Sequence, residues 1–115
     1  MRLDAEEMLS LVLARLDDMK AEDTLTIDLR QKSSIGDYMV VSSGRSQRHV
    51  GSVADRIVED LHKAGVAARV EGMPHCDWVL IDAGAVIVHV FRPEVRDFYN
   101  LEGMWMSSRP AQRAS

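Results

Sequence analysis

The chain has 115 residues, of which 46% are hydrophobic and 28% are charged, and these values are ordinary for one globular domain with a single modest core. Its net charge of −4 argues against DNA as a direct partner, because binding to phosphate backbones depends on a concentrated basic face. No apolar run is long enough to cross a bilayer, and the first residues do not resemble a signal peptide, so we expect no membrane contact. The single Cys76 cannot form an internal disulfide, which favours a reducing, cytoplasmic location.

The first helix is predicted over residues 4–20, where apolar side chains recur at helical spacing and form one stripe. Asp4 and Glu7 form the pattern of a capping box, in which each side chain accepts a hydrogen bond from the other residue's backbone N–H. Residues 24–30 then alternate between apolar and polar side chains, and this period of two predicts a half-buried strand.

A second strand, a turn and a second helix follow. Residues 38–41 are predicted as the strand, and the sequence SSGRS at 42–46 as the turn. Ser46 is a suitable N-cap for a helix over 47–64, because its hydroxyl can accept a hydrogen bond from the first turn. Gly65 is expected to end this helix.

The second half of the chain is organised around residues 77–105. After a short strand predicted at 66–70, two apolar runs are separated by Ala83 and Gly84, and a glycine supplies the positive φ that a hairpin turn needs. Because the runs are apolar at successive positions, we expect strands at the centre of a sheet that is covered on both faces. Pro93 suits the first turn of a final helix.

The predicted order of elements is therefore α-β-β-α-β-β-β-α. This order places the chain among the α/β proteins in the broad sense, and more specifically in the α+β class. We expect a mixed sheet of about five strands with flanking helices. Residues 1–105 are predicted to form one domain. Residues 106–115 are small and polar without periodicity, and they are predicted to form a flexible tail.

The turn at 42–46 is a candidate anion site. Backbone N–H groups at a helix start, a glycine and nearby arginines can hold a phosphate or a carboxylate. The same residues also suit a simple turn with an N-cap, and this interpretation is favoured because no complete GxxxxGK[ST] or GxGxxG motif is present. The residues concerned are Ser43, Gly44, Ser46, Arg48 and His49.

Four titratable residues are candidates for an acid–base or metal cluster: Asp37, His49, Asp82 and His89. Their spacing lacks the short repeats that are typical of metal ligands. We therefore favour structural roles, in which Asp82 orients the hairpin turn and His89 forms a hydrogen bond in or beside the core. No cofactor and no metal are predicted.

Aromatic residues are concentrated after position 77. In residues 93–105 the aromatic and apolar side chains are too many for all of them to face the core from one short helix. Exposed Trp and Tyr with Arg nearby are typical anchors of protein interfaces. Packing of the last helix on the sheet is the competing interpretation, and for Tyr99 and Trp105 both remain open.

Four stretches of the chain resemble one known family: KSSIGDY (32–38), DYMVVSSGRSQRHVGSVAD (37–55), VEG (70–72) and DWVLIDAGAVIVHVFRPEVRDFYNLEGMW (77–105). The pieces SGRSQRHV and WVLIDAG…VIVHVF…FYNLEGMW occur in the order and at the spacing of that family. On these residues the chain resembles the bacterial ribosomal silencing factors, also called the Iojap or YbeB-type family.

The resemblance implies a binding protein on a fold similar to that of nucleotidyltransferases. Family members are expected to bind protein number fourteen of the large ribosomal subunit at the inter-subunit face. They thereby keep the small subunit from joining, which lowers translation in nutrient-poor or stationary cells. A homodimer is also implied. Carried over to this sequence, the contact residues are Trp78, Val79, Arg96, Tyr99, Leu101 and Trp105.

An enzyme on the same fold is the alternative. Nucleotidyltransferases hold metal ions with a pair of acids one residue apart, whereas here Asp82 is followed by Ala83 and Gly84. The resemblance therefore implies no enzymatic activity. The alternative, a metal-dependent nucleotidyl or phosphoryl transferase, would use the turn at 42–46 together with Asp82 and His89.

Overall fold

The computed structural model describes residues 3–31, 36–73 and 75–95. Within these ranges the elements follow one another in the predicted order. Residues 93–95 are helical, which agrees with a helix starting at Pro93, and the rest of the predicted final helix and the predicted tail lie outside the described residues. The elements are α1 (Ala5–Asp18), β1 (Glu22–Asp28), β2 (Tyr38–Ser43), α2 (Gln47–Lys63), β3 (Arg69–Glu71), β4 (Trp78–Asp82) and β5 (Val86–Phe91).

The five strands form one mixed sheet in the order β1-β2-β5-β4-β3. β2 and β5 are parallel, and every other neighbouring pair is antiparallel. β5 lies at the centre of the sheet, and all six of its residues are buried. The predicted α+β class and the five-stranded mixed sheet are therefore confirmed.

Both helices pack on one face of the sheet, which we call the helical face. The predicted capping box is present at the start of α1, where Asp4 Oδ1 accepts from the Glu7 N–H at 2.8 Å and Glu7 Oε1 accepts from the Asp4 N–H at 2.9 Å. Asp60 on α2 accepts a hydrogen bond from Arg15 on α1, which joins the helices, and another from Arg56 on α2 itself. The side chains of this core with no exposed surface include Val12, Val40, Val50, Val53, Ile57, Leu61, Val79, Ile81, Val88 and Val90.

The opposite face of the sheet, the second face, carries a smaller apolar cluster. Leu25, Trp78 and Val95 pack against its margin. The cluster itself consists of Ile27, Leu29, Met39, Val41 and Phe91.

The prediction that the late strands are covered on both faces holds for β5 and is wrong for β4. In β4 the side chains of Val79 and Ile81 are buried on the helical face, whereas Trp78, Leu80 and Asp82 keep part of their surface exposed. The physical reason is the position of β4, which has only the three-residue β3 on its outer side, while both described helices lie on the other face.

The predicted hairpin turn joins β4 to β5. Gly84 has a φ of 88°, in the region that favours glycine, and its N–H donates to Asp82 Oδ1 at 2.9 Å. The Ala83 N–H donates to the Val86 carbonyl at 3.0 Å and closes the turn. Of the helices in the described ranges, none has the length and apolar character needed to span a membrane.

Candidate protein-binding surface

The start of β4 is fixed by a network around Asp77. Arg92 donates from its backbone N–H to the Asp77 carbonyl at 3.0 Å and from Nε to Asp77 Oδ1 at 2.9 Å. Gln47, at the start of α2, donates to the same carboxylate oxygen at 2.9 Å. The hydrogen bond from Gln47 and the nearby Arg92 guanidinium hold the pKa of Asp77 below its usual value, so the carboxylate is charged at neutral pH.

Trp78 follows immediately, and its half-buried indole lies on the second face. It is paired across the strands with Phe91, and the two rings stack with their centroids 5.1 Å apart at 29°. The indole Nε1–H donates to Nδ1 of His89 at 3.0 Å. One ring face and the polar edge of the indole are therefore engaged inside the molecule.

An open depression of about 280 Å³ lies beside this indole, lined by Glu71, Gly72, Trp78 and Leu80. Glu71 is exposed on β3 and pairs with Leu80 on β4, so their side chains share the second face with Trp78. We call these four residues the β3–β4 patch. It combines an aromatic ring, an aliphatic side chain and a carboxylate, which are groups suited to contact a protein with apolar and basic side chains.

Of the other predicted contact residues, Val79 does not fit. Its side chain has no exposed surface and belongs to the core under the helices, so the prediction that it contacts a partner is wrong. The strand alternates, and Val79 therefore faces the side opposite to Trp78. The remaining predicted contacts lie outside the described residues: Arg96, Tyr99, Leu101 and Trp105.

The candidate anion site at 42–46 is built as a closed turn. Ser46 caps α2 by accepting from the His49 N–H at 3.1 Å, and the Gly44 N–H donates to the Phe91 carbonyl at 2.9 Å. Ser43 is buried, whereas Arg48 is exposed on the first turn of α2. These contacts hold the strand end against the helix start, as the structural interpretation of the turn predicts.

His49 connects three segments. Its Nδ1 accepts from the Arg45 N–H at 2.9 Å, which assigns the ring proton to Nε2, and Nε2 donates to the Met19 carbonyl at 2.7 Å. The imidazole thereby ties the end of α1 to the start of α2.

The four residues proposed for an acid–base cluster are not brought together. His49 bonds to α1, Asp82 bonds to the turn, and His89 bonds to Trp78. Asp37 lies just before β2, where its backbone bonds to Leu29 and Ala85. Among residues 3–31, 36–73 and 75–95, no group of three or more His, Cys, Asp or Glu side chains is arranged to hold a metal ion.

Sequence reasoning missed three members of the β3–β4 patch: Leu80, Glu71 and Gly72. A signal for Leu80 was present, because strict alternation from Trp78 places residue 80 on the same face as the indole. No local signal could have found Glu71, since its place beside Leu80 depends on the pairing of β3 with β4.

The fold and this surface define a class of protein: an α+β domain with helices on one sheet face and a partly exposed aromatic patch on the other. Residues 2–115 match the family model described as ribosomal silencing factor during starvation. The chain therefore belongs to the family of ribosomal silencing factors, as the resemblance in the sequence predicts.

Individual relatives agree with this assignment. The chain is 52% identical over 103 residues to ribosomal silencing factor RsfS of Zymomonas mobilis, covering 89% of this chain and 77% of the relative. It is 35% identical over 104 residues to RsfS of Bacillus subtilis, covering 90% and 88%. A crystal structure of a protein from Chromobacterium violaceum is similar with a TM-score of 0.88 at 36% identity, covering 94% of this chain and 91% of that one.

Proposed function

We propose that this protein binds the large ribosomal subunit through its protein number fourteen and sterically blocks association of the small subunit. It would thereby repress translation in the cytoplasm under nutrient limitation or in stationary phase. The observation that carries the proposal is the β3–β4 patch, where a chain of this family presents the Trp78 indole next to Leu80 and Glu71.

Occlusion is sufficient for this function, and no chemical step is needed. A specific interface buries on the order of 800 Å² per partner, and a few aromatic and aliphatic anchors near its centre supply most of the affinity. A protein of 115 residues bound to the inter-subunit face would occupy the space that the small subunit needs for association.

Charge complementarity supports a basic ribosomal protein as the partner. The net charge of the chain is −4, and the patch itself contains the exposed Glu71. Acidic side chains increase the rate at which a basic surface is encountered and disfavour direct contact with phosphate backbones.

The proposed contact surface consists of the patch together with the residues implied by the resemblance. Trp78 and Leu80 would be its anchors within the described ranges. Arg96, Tyr99, Leu101 and Trp105 remain proposed contacts, and Val79 is omitted because it is buried. The homodimer implied by the resemblance also remains a proposal.

A charge reversal on the patch tests this function. We expect Glu71→Lys to weaken co-sedimentation with large subunits and to restore subunit joining, measured by light scattering, because a lysine would face a basic partner. The matched control is Glu59→Lys, which makes the same charge change at an exposed position of α2, where Glu59 is within 3.6 Å of Lys63. Leu80→Ala should weaken binding as well, with the fold retained.

Two results would contradict the proposal. The first is subunit joining that stays unchanged at saturating wild-type protein. The second is an equal loss of binding in Glu71→Lys and Glu59→Lys, since this would mean that net charge matters and the patch does not.

A further inference from the structure

His89 is a buried titratable side chain that lies on the second face, beside the β3–β4 patch. It is 7% exposed on the central strand, where it pairs with Leu80 on one side and with Val41 on the other. The proposed occlusion needs no imidazole at this position. An apolar residue could fill the same space in a strand that is otherwise apolar, so the contacts of His89 require their own explanation.

The hydrogen bond between Trp78 and His89 has only one direction. An indole N–H can donate but cannot accept, so Nδ1 of His89 is the acceptor and the ring proton is on Nε2. Burial lowers the pKa of His89 to about 4, so the imidazole is neutral at pH 7 and its Nδ1 lone pair is available.

The ring stacking and the hydrogen bond of the indole restrict different motions. Stacking on Phe91, at a centroid distance of 5.1 Å, sets the plane of the ring, but a half-turn about the Cβ–Cγ bond would keep that plane and exchange the two edges of the indole. The hydrogen bond of 3.0 Å to His89 is directional and selects one of these two orientations. Together they determine which edge of the indole faces the depression beside Leu80 and Glu71.

We propose that His89 is a positioning residue, whose Nδ1 holds the indole of Trp78 in the orientation that the binding partner recognises. The statement that a binding partner recognises the indole rests on the proposed function. An anchor that is already ordered in the free protein loses less conformational entropy on binding, so the hydrogen bond raises affinity without touching the partner.

Variants of His89 separate the acceptor from the bulk of the ring. His89→Phe keeps an aromatic ring and removes the acceptor. His89→Asn removes the ring but places Oδ1 as many bonds from the backbone as Nδ1. His89→Leu provides a second variant without an acceptor in case His89→Phe does not fold. Thermal unfolding, monitored by circular dichroism, identifies the folded variants.

The first measurement is hydrogen exchange of the Trp78 indole N–H by NMR, with Trp105→Phe used only to assign the two tryptophan signals. We expect exchange to be at least about tenfold faster in His89→Phe than in the wild type and close to wild type in His89→Asn. Binding to large subunits should weaken about two- to tenfold in His89→Phe, the range expected for one lost hydrogen bond, and should be largely retained in His89→Asn.

A double-mutant cycle distinguishes positioning from a general effect on the fold. Trp78→Phe removes the donor, so adding His89→Phe to it should cause no further loss of binding. If wild-type binding is normal, either of two results would overturn the inference. One is that His89→Phe weakens binding equally in the wild-type and Trp78→Phe backgrounds, and the other is that the indole exchange rate does not change in His89→Phe. Absence of wild-type binding to large subunits would overturn the proposed function and with it the role of the partner here.

Discussion

The two faces of the sheet differ in how completely their apolar side chains are buried. On the helical face the apolar side chains of β4 and β5 are fully buried under two helices. On the second face burial is graded: Val41 and Phe91 have no exposed surface, whereas Trp78 and Leu80 toward the β3 edge remain partly exposed. The difference shows that β4 has two roles. Val79 and Ile81 stabilise the core, whereas Trp78 and Leu80, which alternate with them, belong to the candidate surface.

The largest expected difference is between two neighbours on β4. Ile81→Ala should lower the free energy of unfolding by about 2–5 kcal/mol, because it opens a cavity in the helical-face core. Leu80→Ala should cost less than half as much, since Leu80 is already partly exposed. Urea unfolding of both variants measures this.

The effects on binding should have the opposite order, with Leu80→Ala weakening binding more than Ile81→Ala. Folded Ile81→Ala keeps the β3–β4 patch, whereas Leu80→Ala truncates it. Equal stability losses in the two variants would show that the second face is packed as tightly as the helical face near β4.

The second expected effect is a pH dependence that arises from His89. Its pKa is lowered from 6.5 to about 4 by burial, so the unfolded state binds the proton more readily. The free energy of unfolding therefore has its full value above about pH 6.5 and decreases as the pH falls toward 4. The total change is about 3 kcal/mol, taking about 1.4 kcal/mol per pKa unit.

His89→Asn provides the comparison for this effect, because carboxylates such as Asp60 and Asp77, whose pKa values are lowered, also cost stability in acid. The difference in unfolding free energy between wild type and His89→Asn should therefore change between pH 8 and pH 4. A constant difference over that range would contradict the burial of a neutral imidazole on the second face.

The third and smallest expected effect compares two glycines near β4: Gly72, which directly follows β3, and Gly84, which lies in the turn after β4. Gly72 has a φ of 91°, and a Cβ there would overlap the Trp78 carbonyl oxygen, so Gly72→Ala should cost about 2–3 kcal/mol and disturb the Trp78 indole. Gly84 has a φ of 88°, and within the described ranges no atom lies within 4 Å of an added Cβ, so Gly84→Ala should cost only about 1 kcal/mol.

Thermal unfolding and the indole NMR signal of Trp78 distinguish the two glycine variants. A normal Trp78 signal in Gly72→Ala would show that the loop before β4 does not help to place the indole.

Much of the fold could be predicted from the sequence. The capping box of Asp4 and Glu7, the central position of β5 and the turn at Gly84 follow from local pattern, and the structure contains all three. The prediction for β3 was less accurate: Val66 was included, but the strand begins at Arg69. Pairing with β4 decides that boundary, and the partner strand is not visible in the local sequence.

The candidate site could be predicted only in part. Trp78 was predicted through the resemblance to the family, and its residue type agrees, because an indole is a typical interface anchor. Leu80 was missed because an unbroken apolar run hides the alternation of a strand that is exposed on one side. The hydrogen bond from Trp78 to His89 joins residues on two strands, and only the antiparallel register brings them together.

The sequence by itself determined where the helices and strands form, because caps, turns and periodicity act between residues close together in the chain. The tertiary structure alone decided which side of β4 is left open and which acceptor the Trp78 indole meets. Both depend on the order of strands in the sheet and on the face that the helices cover, and these are set by packing between segments far apart in the chain.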